Sequence, residues 1–333
     1  MRDLNGSKIF VSGGTGSFGN ALIDYLHDSG AEFIVYSRDE TKQHEMYTTR
    51  RDKRISYVIG DVRDRDSLVK AMQKVDYAFS AAALKHVPTG EKFPGEAVQT
   101  NFHGTENIVH AADACGVKRL VCLSTDKAAE PRTAYGMTKG LAERIITNHS
   151  GSTICTSLRY GNVLGSRGSV VPLFLKQIAE GKPVTITDPN MTRFILTLEE
   201  AVKLSLKCLY DGDDGDLFVM KPPACSIRTL VDALKLHFGS KVKEETIGVR
   251  PMEKPHEVLL TGEEEYRGIV EKEGAITYVR LQAQRNVDYH FRGSNYTEPE
   301  PFSSDKAEQL DARQVLDKLK EARLLCKALK EVE

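Results

Sequence analysis

Short apolar runs alternate with amphipathic stretches through the first half of the chain. KIFV (8–11), EFIVYS (32–37), ISYVIGD (55–61), DYAFSAAA (76–83), KRLVCLST (118–125) and STICTSLRY (152–160) predict strands. Between them lie helical patterns: Phe18, Leu22 and Leu26 share one face, and the longest pattern begins near Glu96 and stops before Gly116. Buried strands alternating with helices predict an α/β fold with a doubly wound parallel sheet. After residue 160 the rhythm loosens. GNVLGSRGS reads as a loop, VPLFLKQIAEG as a short helix and PVTITD as a short strand. Thr197 should cap a helix with Glu200 as capping-box partner, and Ser226 should cap another. AEQLDARQVLDKLKEARLL closes the chain as a helical run. These patterns predict a dinucleotide-binding domain over 1–160 and a smaller mixed α/β lobe over 161–333, partly interleaved with it and closing a cleft.

Composition narrows the function classes. The chain has 333 residues, with 46 Lys and Arg against 47 Asp and Glu, giving a net charge of −1. So balanced a charge argues against a dedicated nucleic-acid or anionic-membrane binder. No apolar run approaches the ~20 residues of a membrane span. The opening MRDLNGSKIFVSGG lacks a signal peptide's apolar core, so a cytoplasmic protein is expected. Six cysteines, at 115, 122, 155, 208, 225 and 326, form no CxxC pair. That spacing suits free thiols in a reducing compartment, with no metal site expected.

The strongest local signal follows the first strand. Ser12-Gly13-Gly14-Thr15-Gly16-Ser17-Phe18-Gly19 places glycines at 13, 16 and 19 ahead of a helix. Glycines there let backbone N–H groups approach a pyrophosphate seated on the helix N-terminus, the arrangement of a Rossmann-type sheet. A plain tight turn would also use glycines; the strand-to-helix position favours the cofactor reading. The second strand ends in Ser37-Arg38, with Lys42 nearby, where an acid would favour NAD. A guanidinium there suits a 2′-phosphate, so NADP is the expected cofactor. Asp61 and Val62 should meet the adenine. Ala81, Ala82 and Lys85 after the fourth strand, Leu123 and Ser124 closing the fifth, and Val163 after the sixth complete the expected cofactor wall.

Tyr135 and Lys139 follow the fifth strand, four residues apart on a predicted helix, about 6 Å apart along its axis. A nearby ammonium and an oxidised nicotinamide favour phenolate, which takes about 4 kcal/mol to bring toward pH 7. Tyr135 could then serve as base for a sugar hydroxyl while hydride leaves the same carbon.

Together these features resemble the extended short-chain dehydrogenase/reductase superfamily. SGGTGSFG, YSRDE, GDVRD, AAALKHVP, STDKAA, YGMTK, RYGNVLGSRGSVVP, MTRF and RPMEKPHE, in that order, are similar to the inverting UDP-N-acetylglucosamine 4,6-dehydratases. The resemblance implies NADP, a UDP-N-acetylglucosamine substrate, and a 4-keto-6-deoxy product epimerised at C5. It implies that Lys127 is the C5 base and Asp126 the C6 acid, where retaining relatives carry Asp-Glu. A lysine base must be neutral, which calls for desolvation or a neighbouring cation. A solvated Asp-Lys ion pair is the bland alternative. The same resemblance places Lys85, Thr125, Asn162, Val171, Pro172, Thr185, Arg193, Arg250 and Glu253 around the substrate, with the arginines on phosphate and Glu253 on the ribose. His86 and His256 read as structural.

Two features depart from the family pattern. Met252-Glu253-Lys254-Pro255 stands where Gly-Glu-Lys-Leu is usual, and the segment 262–301 is similar to the capsule-type enzymes, although Tyr135 is kept. A retaining dehydratase, a nucleotide-sugar 4-epimerase and an NADP-sensing regulator are the alternatives. By analogy with the superfamily, a homo-oligomer is expected, pairing through helices near 91–115 and 134–149, with hexamers common.

Overall fold

The computed structural model describes residues 4–239, 242–274, 276–287 and 297–325. Its centre is a nine-stranded sheet. The six strands expected from the first half are β1 (Lys8–Ser12), β2 (Glu32–Ser37), β3 (Ile55–Ile59), β4 (Tyr77–Ser80), β5 (Arg119–Leu123) and β6 (Ile154–Arg159). They lie parallel in the order β3-β2-β1-β4-β5-β6. The fold is therefore the expected Rossmann-type doubly wound sheet. Several strands stop short of their apolar runs: β3 ends before Gly60 and β4 before Ala81, where the chain turns into the cleft beyond the carboxyl ends.

Alternation along each strand builds two cores. In β1, Ile9 and Val11 face one side and Phe10 the other, all fully buried. Ile9 and Val11 share a core with Phe79, Val121 and Leu158, covered by α1 (Ser17–Tyr25) and the helix Leu198–Asp211. Phe10 joins Tyr36, Leu68, Leu120 and Ile146, covered by helices Arg65–Ala71, Gly104–Cys115 and Ala134–Thr147. The long helical pattern from Glu96 runs from Pro94 to Cys115, with π-helical geometry over Val98–His103.

Residues beyond 160 contribute to the same sheet. Leu217–Met220 pairs parallel to β6, and the hairpin Ile269–Glu273 with Ile276–Leu281 adds two antiparallel strands at that edge. The remainder forms a smaller lobe around Phe174, Leu230, Leu234, Val315 and Leu319, built by helices Val170–Ala179, Ile227–Phe238 and Ala312–Glu321. The Thr197–Glu200 capping box is formed, and Ser226 caps its helix through the Thr229 N–H. Cys326 lies outside the described residues; the other five cysteines are free. Among the described residues, no helix is long and apolar enough to cross a membrane.

Candidate active site

The glycine turn is shaped by backbone crowding. Gly13 has φ +64°, and a Cβ there would stand 2.9 Å from the Ala82 backbone. A Cβ at Gly19 would stand 2.3 Å from the Gly14 carbonyl oxygen, so only glycine lets α1 start this close to the turn. The Ser12 hydroxyl accepts from the N–H groups of Ala81 and Ala82 at 3.1 and 3.3 Å, tying β1 to the end of β4. At the end of β2, Ser37 shares a hydrogen bond with Thr15. Arg38 is half-exposed and lies 3.5 Å from Asp61. Asp39 caps the helix Glu40–Arg50 by accepting the Lys42 N–H at 3.0 Å, and its carboxylate also pairs with the Lys42 ammonium.

A cavity of about 820 Å³ runs from this point across the carboxyl ends of the strands. Its walls include Gly13, Thr15, Gly16, Ser17, Phe18, Ser37, Arg38, Lys42, Val62, Ala81, Ala82, Lys85, Leu123, Ser124, Thr125, Asp126, Lys127, Tyr135, Lys139, Asn162 and Val163, all named from the sequence. Gly19 and Asp61, also named from the sequence, are not among the wall residues. Loop 161–169 crosses the cavity, and the Arg167 N–H donates to the Ser17 hydroxyl at 3.1 Å.

The catalytic candidates converge by packing. Thr133 caps helix Ala134–Thr147 by accepting the Gly136 N–H. A Cβ at Gly136 would stand 2.4 Å from the Lys127 carbonyl oxygen, so glycine lets this helix lie against the loop after β5. Tyr135 thereby lines the same cavity as Thr125 and Lys127. The Thr125 hydroxyl donates to Asp126 Oδ1 at 2.9 Å. Lys127 Nζ lies 3.1 Å from the same oxygen and 2.9 Å from Glu257 Oε1.

Burial and charge set the protonation states here. Burial raises the affinity of the Asp126 carboxyl for its proton, against the pull of Lys127 and with help from Glu257. Burial would depress the Lys127 ammonium, but Asp126 and Glu257 outweigh it and hold it above the ordinary lysine range. The neutral lysine expected from the sequence is disfavoured here, because two carboxyl groups flank the amine. Burial also raises Tyr135, although Lys127 and Thr125 pull the other way, and it depresses Lys139. Four buried polar atoms at this end have no hydrogen-bond partner among the described residues: Ser124 Oγ, Asp126 Oδ2, Asn162 Oδ1 and Glu257 Oε2. Orphaned polar atoms at a cleft suit a site completed by polar ligands.

The remaining substrate candidates divide. Arg193 pairs with Glu253 at 3.3 Å and lies 4.0 Å from Glu257, while Glu253 accepts the Arg250 N–H. This cluster stands next to Lys127 but outside the cavity walls. Val171 is buried in the core of the smaller lobe, and Pro172 lies on the first turn of the helix beside it. Thr185 is hydrogen-bonded to Gln177. These three also stand outside the cavity walls. Glu257, Arg167 and Tyr160 were not singled out from sequence. Glu257 closes the RPMEKPHE segment, so the signal lay in a segment already noted. His86 lines the cavity, its ring packed on Gly168, and His256 is hydrogen-bonded to Thr192.

With this geometry in view, the sequence places the chain among known proteins. The polysaccharide biosynthesis protein family matches residues 9–277. The chain belongs to that family. A member of similar sequence is the UDP-glucose 4-epimerase of Rickettsia rickettsii, 45% identical over 266 residues, which span 77% of this chain and 78% of that protein. Among solved structures, Pen from Bacillus thuringiensis is 33% identical with a TM-score of 0.86, covering 96% of this chain and 99% of that one. DesIV from Streptomyces venezuelae, a dTDP-glucose 4,6-dehydratase solved with NAD bound, has a TM-score of 0.67 at 21% identity, covering 74% of this chain and 86% of that one. This polysaccharide biosynthesis protein thus has the fold of the nucleotide-sugar epimerases and dehydratases of the short-chain dehydrogenase/reductase superfamily.

Proposed function

We propose that this chain is an NADP-dependent UDP-N-acetylglucosamine 4,6-dehydratase that inverts C5, yielding UDP-2-acetamido-2,6-dideoxy-β-L-arabino-hex-4-ulose. The observation that carries the reading is the Asp126–Lys127 pair, Asp126 buried and Lys127 partly exposed, beside Tyr135 on the cavity wall. A 4-epimerase needs one base at O4. An elimination across C5 and C6 needs a second base and an acid, and burying the Asp126 carboxyl is costly without such a use.

The residues present fit a dinucleotide: the glycine cradle, the Arg38 and Lys42 cations, and a cavity long enough to continue to Tyr135. Bound there, the nicotinamide would accept hydride from C4 and return it at C6. Tyr135 takes the O4 proton, with the buried Lys139 one helical turn away favouring phenolate. Lys127 removes H5, acidified by the 4-keto group. Asp126, whose affinity for a proton burial raises, protonates the departing C6 hydroxyl. Arg193 and Arg250 are assigned to the diphosphate and Glu253 to the nucleotide ribose, with Asn162, Val171, Pro172 and Thr185 on the nucleotide side. The homo-oligomer and cytoplasmic setting belong to this same reading.

A second reading, UDP-sugar 4-epimerisation, is favoured by the Rickettsia relative's name. Proton NMR separates the two. Incubation with UDP-N-acetylglucosamine in heavy water should give a 6-methyl signal and lose H5; a C4 epimer with its hydroxymethyl intact would refute the dehydratase. Lys127→Ala should abolish C5 exchange while NADP stays bound.

A further inference from the structure

Lys127 is carried by the loop after β5, yet its shortest ion pair crosses to the other lobe. Glu257 lies in the loop that precedes the short strand Val258–Leu260 and is 3% exposed. Its N–H donates to the Ser304 hydroxyl at 2.9 Å, and Ser304 in turn donates to the Thr192 carbonyl at 3.1 Å. The carboxylate is therefore held from behind by two separate segments of the smaller lobe. Oε1 meets Lys127 Nζ at 2.9 Å, and Oε2 is buried with no hydrogen-bond partner among the described residues. Among the described residues, these charged and titratable groups act on the pair. Asp126 shares the Lys127 loop, Tyr135 faces it from the helix Ala134–Thr147, Arg193 from the strand Thr192–Leu196, and Lys254 from the Glu257 loop.

We propose that Glu257 is a positioning residue that clamps the Lys127 ammonium beside Asp126 and governs the pH at which the pair exchanges protons. This deepens the dehydratase reading and rests on it. A buried anion 2.9 Å from Nζ favours the protonated amine, and its field also helps Asp126 keep its proton. Lys127, whose side chain is partly exposed, first releases its ammonium proton to solvent, and the step then balances. The C5–H bond breaks, an N–H bond forms on Lys127, and the electron pair passes into the 4-keto group. That pair then returns to form C5=C6 as the C6 oxygen leaves as water with the Asp126 proton. Glu257 touches no reacting atom. It stabilises the ammonium that forms on Lys127 when H5 is captured.

The test compares wild type, Glu257→Gln and Glu257→Asp, each with lysine labelled at Cε with carbon-13 and the signal assigned with Lys127→Met. The wild-type Lys127 signal should stay that of an ammonium to about pH 10, while Glu257→Gln should titrate at least about one pH unit lower, a tenfold loss of proton affinity. Glu257→Asp should fall between. In parallel, the pH limb of C5 deuterium exchange should move toward acid in Glu257→Gln with KM unchanged. An unmoved Lys127 titration, or a KM effect alone, overturns the proposal. If wild type itself shows no C5 exchange, the dehydratase reading fails while the titration still decides the role of Glu257. Thermal melts of each variant separate misfolding from a changed titration.

Discussion

Arg38, Asp39 and Lys42 bring two cations and one anion to the end of β2. The anion is already engaged in capping a helix and in pairing with Lys42. Arg38 keeps half its side chain exposed at the cavity mouth, where a 2′-phosphate would replace Asp61 as its partner. NADP should therefore bind more tightly than NAD, and Arg38→Ala should cost NADP about tenfold or more in affinity while barely changing NAD, by isothermal titration. Tighter binding of NAD by wild type would refute the assignment. Residues of this kind were legible because their signal is local: the glycine spacing, the Arg38 position and the Tyr135–Lys139 interval each lie within one turn or helix. Glu257 was not legible as a partner of Lys127, because 130 positions separate them and only the folded lobe brings them together.

At the level of elements, the helix Ala134–Thr147 owes its position to a missing side chain. Gly136→Ala would place a methyl 2.4 Å from a backbone carbonyl, which cannot rotate away. The helix must then lift from the Lys127 loop. Since a displacement near 1 Å can cost about a hundredfold, kcat should fall by that order with NADP affinity changed less. An active Gly136→Ala enzyme would show that the contact is dispensable. The parallel strands were readable because burial on both faces makes them uniformly apolar. The hairpin at 269–281 was not. Its outer strand, IVEKE, is an exposed edge on which Val270 is open to solvent and charges follow, so neither apolar run nor alternation marked it as sheet.

Across the whole molecule, two buried charge clusters join distant parts. Arg159 at the end of β6 forks onto Glu143 at 3.0 and 2.6 Å and onto Glu264 at 2.8 and 3.1 Å. Arg159→Met would leave two carboxylates buried together, costing about 3–5 kcal/mol in chemical denaturation. At the opposite end of the sheet, His149 sits between Asp214 at 2.9 Å and Asp113 at 3.0 Å. Burial opposes its charge, but the two carboxylates prevail and raise its proton affinity. A group raised on folding stabilises fully below its unfolded value, about 6.5, and loses that contribution as pH rises through the folded value. The melting temperature of wild type should thus exceed that of His149→Gln most at pH 6, with the gap narrowing by pH 9. A gap that is constant or widens with pH would exclude a charged His149.

The Arg167 N–H latched to the Ser17 hydroxyl ties segment 161–169 to the start of α1 at the cavity wall. A ligand on that turn would have this segment beside it, and breaking the latch would ease its escape. If the proposed dehydratase chemistry holds, the helper ends each round in the oxidation state in which it began, and slow escape would cost turnover nothing.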